Sequence, residues 1–524
     1  MSAPTGDVGA APAGGARGGD KLAPLAESAG RKLFAQTSHY SIASLFTLIG
    51  GVLTFPLMTR VLSVREYGIM SLIGPTLSLS VALGKTGLQH AIVRYYTEIS
   101  AGKSRYTLPQ LYSTTLLAMG GSALLVMFAL LVGVRVVPTR WLEDEMVRGL
   151  LTLVAGLVVV QVLDSAFTNL LTGAQRSATL MRYQIAKKYL SLGCLFVGIL
   201  LISKSLWGFY GATVLAEATA LVLFAFVLFR ENAQMRPRTQ SFSRPLYGEL
   251  LRYGLPMTFG YELAGLILNA GDRYVIKAYI GEEQVGLYSA AYNLCQYVQS
   301  VFLTSLGTAI TPIYMRIYDE EGPQKTASFA SESLANYALL AAPVIAGVAS
   351  VGPELLSSLA TERYAVAAGV FPWVIAGMVV DTAATIVGAG LYIHRKAGIM
   401  MMSVAGSAVI NVGANLLLVP RFGIIGAAAS TLIGYGVLYL AFAAGARRYL
   451  HVPLPWRTIT RSGLAALVMY TALHFILPGR RFITVGVRGV AGIVIYGALI
   501  AAIDARGRGF IQRFWRRART ALGR

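Results

Sequence analysis

The segment VLDSAFTNLLTG, residues 162–173, recurs as VVDTAATIVGAG at residues 379–390. In this alignment Asp164 corresponds to Asp381. Both segments lie in long apolar runs, where a carboxylate is costly to bury. The same acid at the same place in two similar segments indicates an internal repeat.

Two further pairs of segments support the repeat. VLSVREYGIMSL at residues 61–72 resembles YIGEEQVGLYSA at residues 279–290, which pairs Gly68 with Gly286. LWGFYGATV resembles the later segment RFGIIGAAA, with glycines at both matching places. Because all three pairs have nearly the same offset, the sequence predicts two similar halves.

The composition places these halves in a membrane. The chain of 524 residues is 55% hydrophobic and only 13% charged, and its mean hydropathy is +0.60. Apolar segments of about 20 residues recur, and each is long enough to span the hydrocarbon core. The sequence predicts an all-α polytopic membrane protein with about 14 transmembrane helices. The predicted spans are 38–59, 66–96, 108–133, 149–173, 180–203, 208–230, 252–278, 285–314, 333–352, 367–391, 399–420, 424–446, 460–477 and 485–504.

The repeat defines the predicted domain organisation. Because an even number of helices separates the repeats, both halves have the same orientation, as in transporters whose lobes rock about a substrate site between them. Helices 13 and 14 have no partner in the repeat, and we expect them outside the two-lobe core. The predicted divisions are a disordered cytoplasmic tail at 1–37, an N-lobe of helices 1–6 at 38–230, a basic cytoplasmic linker at 231–251, a C-lobe of helices 7–12 at 252–446, two extra helices at 447–504 and a basic cytoplasmic tail at 505–524.

Charge indicates the orientation. The connections on one side of the predicted membrane are basic, for example AGKSRY at residues 101–106 and HRK at residues 394–396. Basic connections stay in the cytoplasm, so both termini are predicted to be cytoplasmic. The same asymmetry accounts for the net charge of +21. It favours anionic membrane lipids, and not nucleic acid, as the partner of these charges.

Four segments carry a resemblance to a known family. They are RVLSVREYGIMSL, GKTGLQHAIVRYY, GDRYVIKAYIGEEQVGLYSAAYN and NLLLVPRFGIIGAAASTLIGYG. In their order and spacing, residues 38–450 resemble the polysaccharide-biosynthesis, O-antigen-type oligosaccharide flippases of the multidrug/oligosaccharidyl-lipid/polysaccharide exporter superfamily. The resemblance implies a transporter, not an enzyme, that moves undecaprenyl-diphosphate-linked oligosaccharide across the bacterial cytoplasmic (inner) membrane. It also implies a polysaccharide polymerase and chain-length machinery as partners.

Such a substrate needs cations for its diphosphate, which Arg binds in a bidentate way and Lys binds as a point charge. His90 and Arg94 are four residues apart and share a helix face. The alternative for each cation is that it reaches the interface to meet lipid headgroups. We expect a V-shaped cavity between the lobes, lined mainly by helices 1, 2, 7 and 8 and faced by Lys85 and Glu262. The candidates for the substrate-binding cavity are Lys85, His90, Arg94, Glu262, Asp272 and Arg273, with Arg60 and Lys277 as further cations.

Acids inside the predicted spans are functional candidates because their burial is expensive. Glu262 follows Pro256, which interrupts the helical hydrogen-bond ladder. Asp164, Asp381 and Glu262 are the ion-coupling candidates, since an acid that alternates between burial and water could take up and release a proton. A static hydrogen bond between helices is the alternative for the twin aspartates.

Other functions stay open at this point. Another transporter on the same fold, either a peptidoglycan-precursor flippase or a cation-coupled small-molecule exporter, would fit the same helices. A membrane-embedded glycosyltransferase or polymerase should show a large outward loop or an acidic metal-binding loop. The segment LGKTG at residues 83–87 lacks the first glycine of a phosphate-binding loop, because Leu79 occupies that place. No cluster of His, Cys and acidic residues has metal spacing, so no cofactor or metal is predicted.

Overall fold

The described part of the chain is built from helices. The computed structural model describes residues 50–51, 53–137, 145–476, 482–504 and 506–509, and no β-strand occurs among them. The prediction of an all-α protein is confirmed. The tail predicted at 1–37 and most of the tail predicted at 505–524 lie outside the described residues.

We number the helices of these ranges in chain order. They are α1 (53–61), α2 (Val64–Lys85), α3 (Leu88–Ser100), α4 (Leu108–Val136), α5 (Glu145–Gly173), α6 (Ser177–Val197), α7 (Leu206–Glu231), α8 (Arg244–Met257), α9 (Ala264–Ile280), α10 (Glu282–Val298), α11 (Ser305–Glu321), α12 (Pro323–Leu359), α13 (Phe371–Val387), α14 (Ala389–Ile393), α15 (Ala397–Ala446), α16 (Trp456–Ile476) and α17 (Phe482–Ile503). Segments Gly198–Ile202, Thr258–Leu263 and Gln299–Thr304 are π-helical, and Glu362–Val370 is 3₁₀-helical.

The helices confirm a multi-pass membrane protein. In the described ranges, nine helices are long and apolar enough to cross a membrane, while the predicted count of fourteen stays a prediction. The longest, α15, has 50 residues. That is about 75 Å of helix, more than twice the hydrocarbon thickness. A positive φ of 58° at Gly423 breaks it, at the boundary that the sequence predicts between helices 11 and 12.

The second predicted span, 66–96, is wrong as a single helix. α2 ends at Lys85, and α3 begins at Leu88. Between them Thr86 and Gly87 have φ values of 50° and 81°. Left-handed residues cannot continue a right-handed helix, so the chain turns at this point.

The seventh predicted span begins earlier than expected. α8 starts at Arg244, inside the segment 231–251 that the sequence assigns to a linker. Pro256 lies near its end, and the π-helical segment Thr258–Leu263 follows directly. Proline has no backbone N–H to donate, and a shifted hydrogen-bond ladder is a usual result. The interruption predicted after Pro256 is therefore present, and it carries Glu262.

α2 and α10 meet through a pair of glycines. A Cβ on Gly68 would lie 1.9 Å from the carbonyl oxygen of Glu282, and a Cβ on Gly286 would lie 2.1 Å from that of Val64. Val64 and Glu282 occupy matching places in the repeat, as do the two glycines. The contact therefore has approximate two-fold symmetry, and it leaves no room for a side chain.

A second contact between the halves lies at the other end of α2. A Cβ on Gly87 would lie 2.2 Å from the carbonyl carbon of Gly254, and a Cβ on Gly254 would lie 2.3 Å from the carbonyl oxygen of Gly87. α2 rises about 26 Å between Gly68 and Lys85, close to the hydrocarbon thickness. Among the described residues, α2 therefore meets the second half near both of its own ends. These contacts close α2 on the second half at both of its ends, while the V-shaped cavity expected between helices 1–6 and 7–12 stays a prediction.

The last two helices attach to one helix of the second half. α16 and α17 pack against α12 and against each other. The Tyr496 hydroxyl on α17 donates a hydrogen bond of 2.8 Å to the carbonyl oxygen of Leu339 on α12. The division of the chain into two lobes and two extra helices stays a prediction.

Candidate functional site

One carboxylate of the second half is met by three side chains of the first half. Glu262 Oε1 lies 3.3 Å from Lys85 Nζ, and Glu262 Oε2 lies 3.4 Å from His90 Nε2. Gln89 Nε2 donates a hydrogen bond to the same Oε2. The side chains of Lys85 and Glu262 are each 21% exposed, so the pair is partly desolvated. We call these four residues the Glu262 cluster.

The turn between α2 and α3 assembles the donors of this cluster. Lys85 is the last residue of α2, and Gln89 and His90 lie in the first turn of α3. The left-handed Gly87 between them redirects the chain, so both helix ends face Glu262. The same glycine touches Gly254, which places the cluster next to the contact between the halves. Lys85 and Glu262, which we expected to face a cavity, thus face each other.

Arg94 lies apart from this cluster. Its Nε is 2.9 Å from Glu98 Oε1 on the same helix, and its guanidinium lies 5.1 Å from the centre of the Tyr253 ring. The spacing of four residues does place Arg94 on the side of α3 that meets α8. It does not give Arg94 and His90 a common partner.

Asp272 and Arg273 form a separate, buried group. Asp272 accepts hydrogen bonds from the hydroxyls of Tyr288 and Thr431. Arg273 Nε donates to Ser289 Oγ at 3.1 Å. The side chains of Asp272 and Arg273 are buried, so this group holds α9, α10 and α15 together. The structure does not bring it to the Glu262 cluster.

The twin aspartates have different surroundings. Asp164 lies 3.2 Å from Lys187 Nζ and accepts a hydrogen bond from the Tyr183 hydroxyl. Lys187 Nζ also lies 3.9 Å from Glu217, so a network within the first half offsets the burial of Asp164. Asp381 has a hydrogen bond of 3.5 Å from Gln299 Nε2, and none of the Lys and Arg residues that the structure describes pairs with it.

A second ionic contact lies at the end of α2 where Gly68 meets Gly286. Glu282 is 3.0 Å from Arg65 Nε and 3.2 Å from Lys277 Nζ, and its side chain is 3% exposed. Nearby, Arg60 donates hydrogen bonds of 2.8 and 3.3 Å to the carbonyl oxygens of Ser358 and Ala360. Arg60 and Lys277 are therefore part of a contact between the halves.

Sequence reasoning missed Gln89, Lys187 and Glu282. Gln89 stands between two candidates, Lys85 and His90, so the register of α3 could have suggested it. Lys187 is a lysine within a predicted span, which by itself marks a functional or paired residue. Glu282 gave no comparable signal, because it lies at the start of a helix where acids are common.

Comparison with known proteins gives a family and a set of relatives. Residues 33–318 match the family model described as polysaccharide biosynthesis protein. "Probable flippase AglR" of Haloferax volcanii is 22% identical over 89% of this chain and 95% of its own length. "Uncharacterized membrane protein MJ1068" of Methanocaldococcus jannaschii is 24% identical over 57% of this chain, and the match spans 59% of that protein. "Probable low-salt glycan biosynthesis flippase Agl15" of Haloferax volcanii is 20% identical over 40% of this chain, and the match spans 44% of that protein.

Solved structures show the same fold. The lipid II flippase MurJ in an inward closed conformation aligns with a TM-score of 0.72 at 13% identity, covering 88% of this chain and 98% of MurJ. An inward-facing multidrug resistance MATE transporter of the MOP superfamily aligns with a TM-score of 0.60 at 16% identity, covering 78% of this chain and 94% of that one. These likenesses show the fold alone. Because the family model matches more than half of the chain, this multi-pass membrane protein belongs to the family of polysaccharide biosynthesis proteins.

Proposed function

We propose that this protein is a flippase, a transporter and not an enzyme, that moves a lipid-linked oligosaccharide across a membrane by alternating access. The finer proposal is an undecaprenyl-diphosphate-linked oligosaccharide, moved across a bacterial inner membrane for a surface or exported polysaccharide. The Glu262 cluster is the observation that carries it, because it holds Lys85 and His90 of one half against the other half within a membrane-embedded bundle. Family membership and the names of two relatives support the same function.

The cluster suits a diphosphate headgroup that carries sugars. Phosphate oxygens accept hydrogen bonds from the same ammonium and imidazole N–H donors that now meet Glu262. Gln89 Oε1 is the proposed hydrogen-bond acceptor for a sugar hydroxyl. It is buried and has no hydrogen-bond partner among the described residues. A buried acceptor without a partner is costly, and a sugar hydroxyl would satisfy it.

The proposed orientation has both termini in the cytoplasm. The Glu262 cluster then lies toward the cytoplasm, where the substrate is loaded. The contact of Gly68 with Gly286 lies toward the outside, where the substrate leaves. Asp381 is the proposed ion-coupling residue, since its carboxylate has no cationic partner among the described residues. A polysaccharide polymerase and chain-length machinery are the proposed partners downstream.

Cells that lack the protein provide the test. Lipid-linked oligosaccharide should accumulate in them and exported polysaccharide should fall, and the wild-type gene should restore export. Lys85→Gln keeps a polar side chain of similar size but loses the charge, and it should restore at most about a tenth of the export. Lys325→Gln, which removes an exposed ion pair with Glu321 within the second half, should restore all of it.

Two results would count against the proposal. An unchanged pool of lipid-linked oligosaccharide in cells without the protein would reject the function. Full export by Lys85→Gln at wild-type membrane levels would reject the site. Accumulation of the peptidoglycan precursor instead would favour the alternative substrate.

A further inference from the structure

The Glu262 cluster contains an anion of its own. Resting on the proposed function, we propose that Glu262 is a resident counter-ion that keeps this end of the protein closed until the diphosphate of the substrate replaces it. Carboxylate and phosphate oxygens accept from the same cationic donors. The atoms that bind the substrate and the atoms that close the halves are then the same.

The contacts of Glu262 with Lys85 and His90 are longer than the shortest ion pairs among the described residues. Lys85 Nζ and His90 Nε2 lie 3.3 and 3.4 Å from its oxygens. The pair Arg105–Glu249 has a distance of 2.8 Å between its closest atoms. Charge-assisted hydrogen bonds of good geometry are about 2.7–2.9 Å long. Of the three contacts of Glu262, those with Lys85 and His90 therefore lose less when another anion takes their donors than a pair at 2.8 Å would.

The Glu262 contact and the Glu282 contact, at opposite ends of α2, differ in how exposed their carboxylates are. The Glu262 side chain is 21% exposed, whereas that of Glu282 is 3% exposed. Both carboxylates have two basic neighbours, but an incoming headgroup has access only to a group that is partly open. Glu262 is therefore the carboxylate that the substrate exchanges.

Replacement of Glu262 by a substrate anion should also weaken the backbone contact between Gly87 and Gly254. Gly254 lies eight residues before Glu262 on the same helical stretch, about 12 Å along its axis. On the opposite side Gly87 lies between Lys85 and Gln89 in the chain. An anion that draws Lys85 and His90 away from Glu262 therefore acts on both sides of the contact between Gly87 and Gly254.

The same exchange resets the empty transporter. When the substrate leaves, Lys85 and Glu262 become unpaired charges within the membrane. Unpaired charge at this depth is unfavourable, so the empty protein returns to the closed pair. An opening that depends on an anion also excludes neutral lipids.

The test compares substitutions of Lys85 and Glu262, because the proposed exchange predicts that they have opposite effects on the affinity for a diphosphate. Spin labels at Ser100 on α3 and Gly248 on α8 report the opening, and a Cβ at Gly248 has open space. The background carries Cys194→Ala, and Cys295 is fully buried and out of reach of the label. The probe is farnesyl diphosphate, and farnesol is the matched probe without the diphosphate.

Farnesyl diphosphate should lengthen the distance between the labels, and farnesol should not. Glu262→Gln should be open without the probe and bind farnesyl diphosphate at least about tenfold more tightly, because the competing carboxylate is gone. Lys85→Gln should also be open, yet bind at least about tenfold more weakly. Glu321→Gln, which removes the matched pair with Lys325, should behave as the wild type.

Equal or weaker binding by Glu262→Gln would overturn the exchange, as would equal opening by farnesol. Flipping by the wild type in proteoliposomes separates this result from the function. A protein that flips lipid-linked oligosaccharide but shows either outcome keeps the proposed function and loses the counter-ion role. A protein that shows the exchange but does not flip would lose the proposed function instead.

Discussion

At the scale of residues, the twin aspartates show what a repeat can and cannot predict. The alignment pairs Asp164 with Asp381, and nothing in the two segments distinguishes them. Their partners come from other helices. Lys187 on α6 neutralises Asp164, and Gln299 meets Asp381 from the π-helical segment after α10. Equal positions therefore have unequal electrostatic environments.

We expect Asp164→Asn to destabilise the first half. The change leaves Lys187 without its closest counter-ion, and Glu217 at 3.9 Å replaces it only in part. The loss should be about 1–2 kcal/mol, since the pair is partly exposed, and it appears as a lower melting midpoint in detergent. In a double-mutant cycle with Lys187→Met the two effects should be less than additive. Full additivity would mean that the two residues do not interact.

We expect Asp381→Asn to have little effect on folding and a large effect on coupling. Asn keeps a polar group for Gln299, so the free energy of unfolding should stay within about 0.5 kcal/mol of the wild type. It cannot exchange a proton, so transport driven by an imposed gradient should fall to the level without a gradient. The measurement is flipping in proteoliposomes with and without a pH difference. An unchanged response would place the coupling site elsewhere, with Glu262 next.

At the scale of elements, the break between α2 and α3 shows where sequence reasoning failed. Apolar residues on both sides of GKTG, residues 84–87, favour one span over residues 66–96, and glycine is common within membrane helices. The contact with Gly254 on α8 makes Gly87 a turn residue, and hydropathy contains no information about that contact. Without the break, Lys85 and His90 could not face the same carboxylate.

The same break gives a prediction with an internal control. Gly87 and Gly102 both have positive φ, 81° and 68°, but only Gly87 has backbone atoms where a Cβ would lie. Gly102→Ala should cost about 1–2 kcal/mol for the left-handed backbone. Gly87→Ala should cost about 2–5 kcal/mol, because the clash adds to it. Equal melting midpoints for the two variants would contradict the close approach of α3 to α8.

At the scale of the whole molecule, the sequence predicts the architecture better than the conformation. Composition predicts the helical membrane protein, and the repeat pairs Gly68 with Gly286, which then meet across an approximate two-fold axis. Neither the composition nor the repeat predicts that α2 is closed on the second half at both of its ends. It depends on contacts such as Arg65 with Glu282 and Lys85 with Glu262, which join residues far apart in the chain.

Gly68→Ala tests the symmetric contact. A Cβ there would lie 1.9 Å from a backbone oxygen, whereas Gly74 on the same helix has open space. Gly68→Ala should therefore weaken the closure of α2 on α10 by about 1–3 kcal/mol. Gly74→Ala should be neutral or slightly stabilising, because alanine favours the helix. The readout is the distance between spin labels on α2 and α10, and equal distances in both variants would contradict the contact.

Flipping by the purified protein tests the central claim most directly. Proteoliposomes would contain a fluorescent undecaprenyl-diphosphate-linked oligosaccharide, and a quencher outside would report its movement between leaflets. The wild type should move the lipid much faster than protein-free liposomes do. Lys85→Gln should be at least about tenfold slower, and Lys325→Gln should match the wild type. A wild-type rate no faster than that of protein-free liposomes would contradict the account.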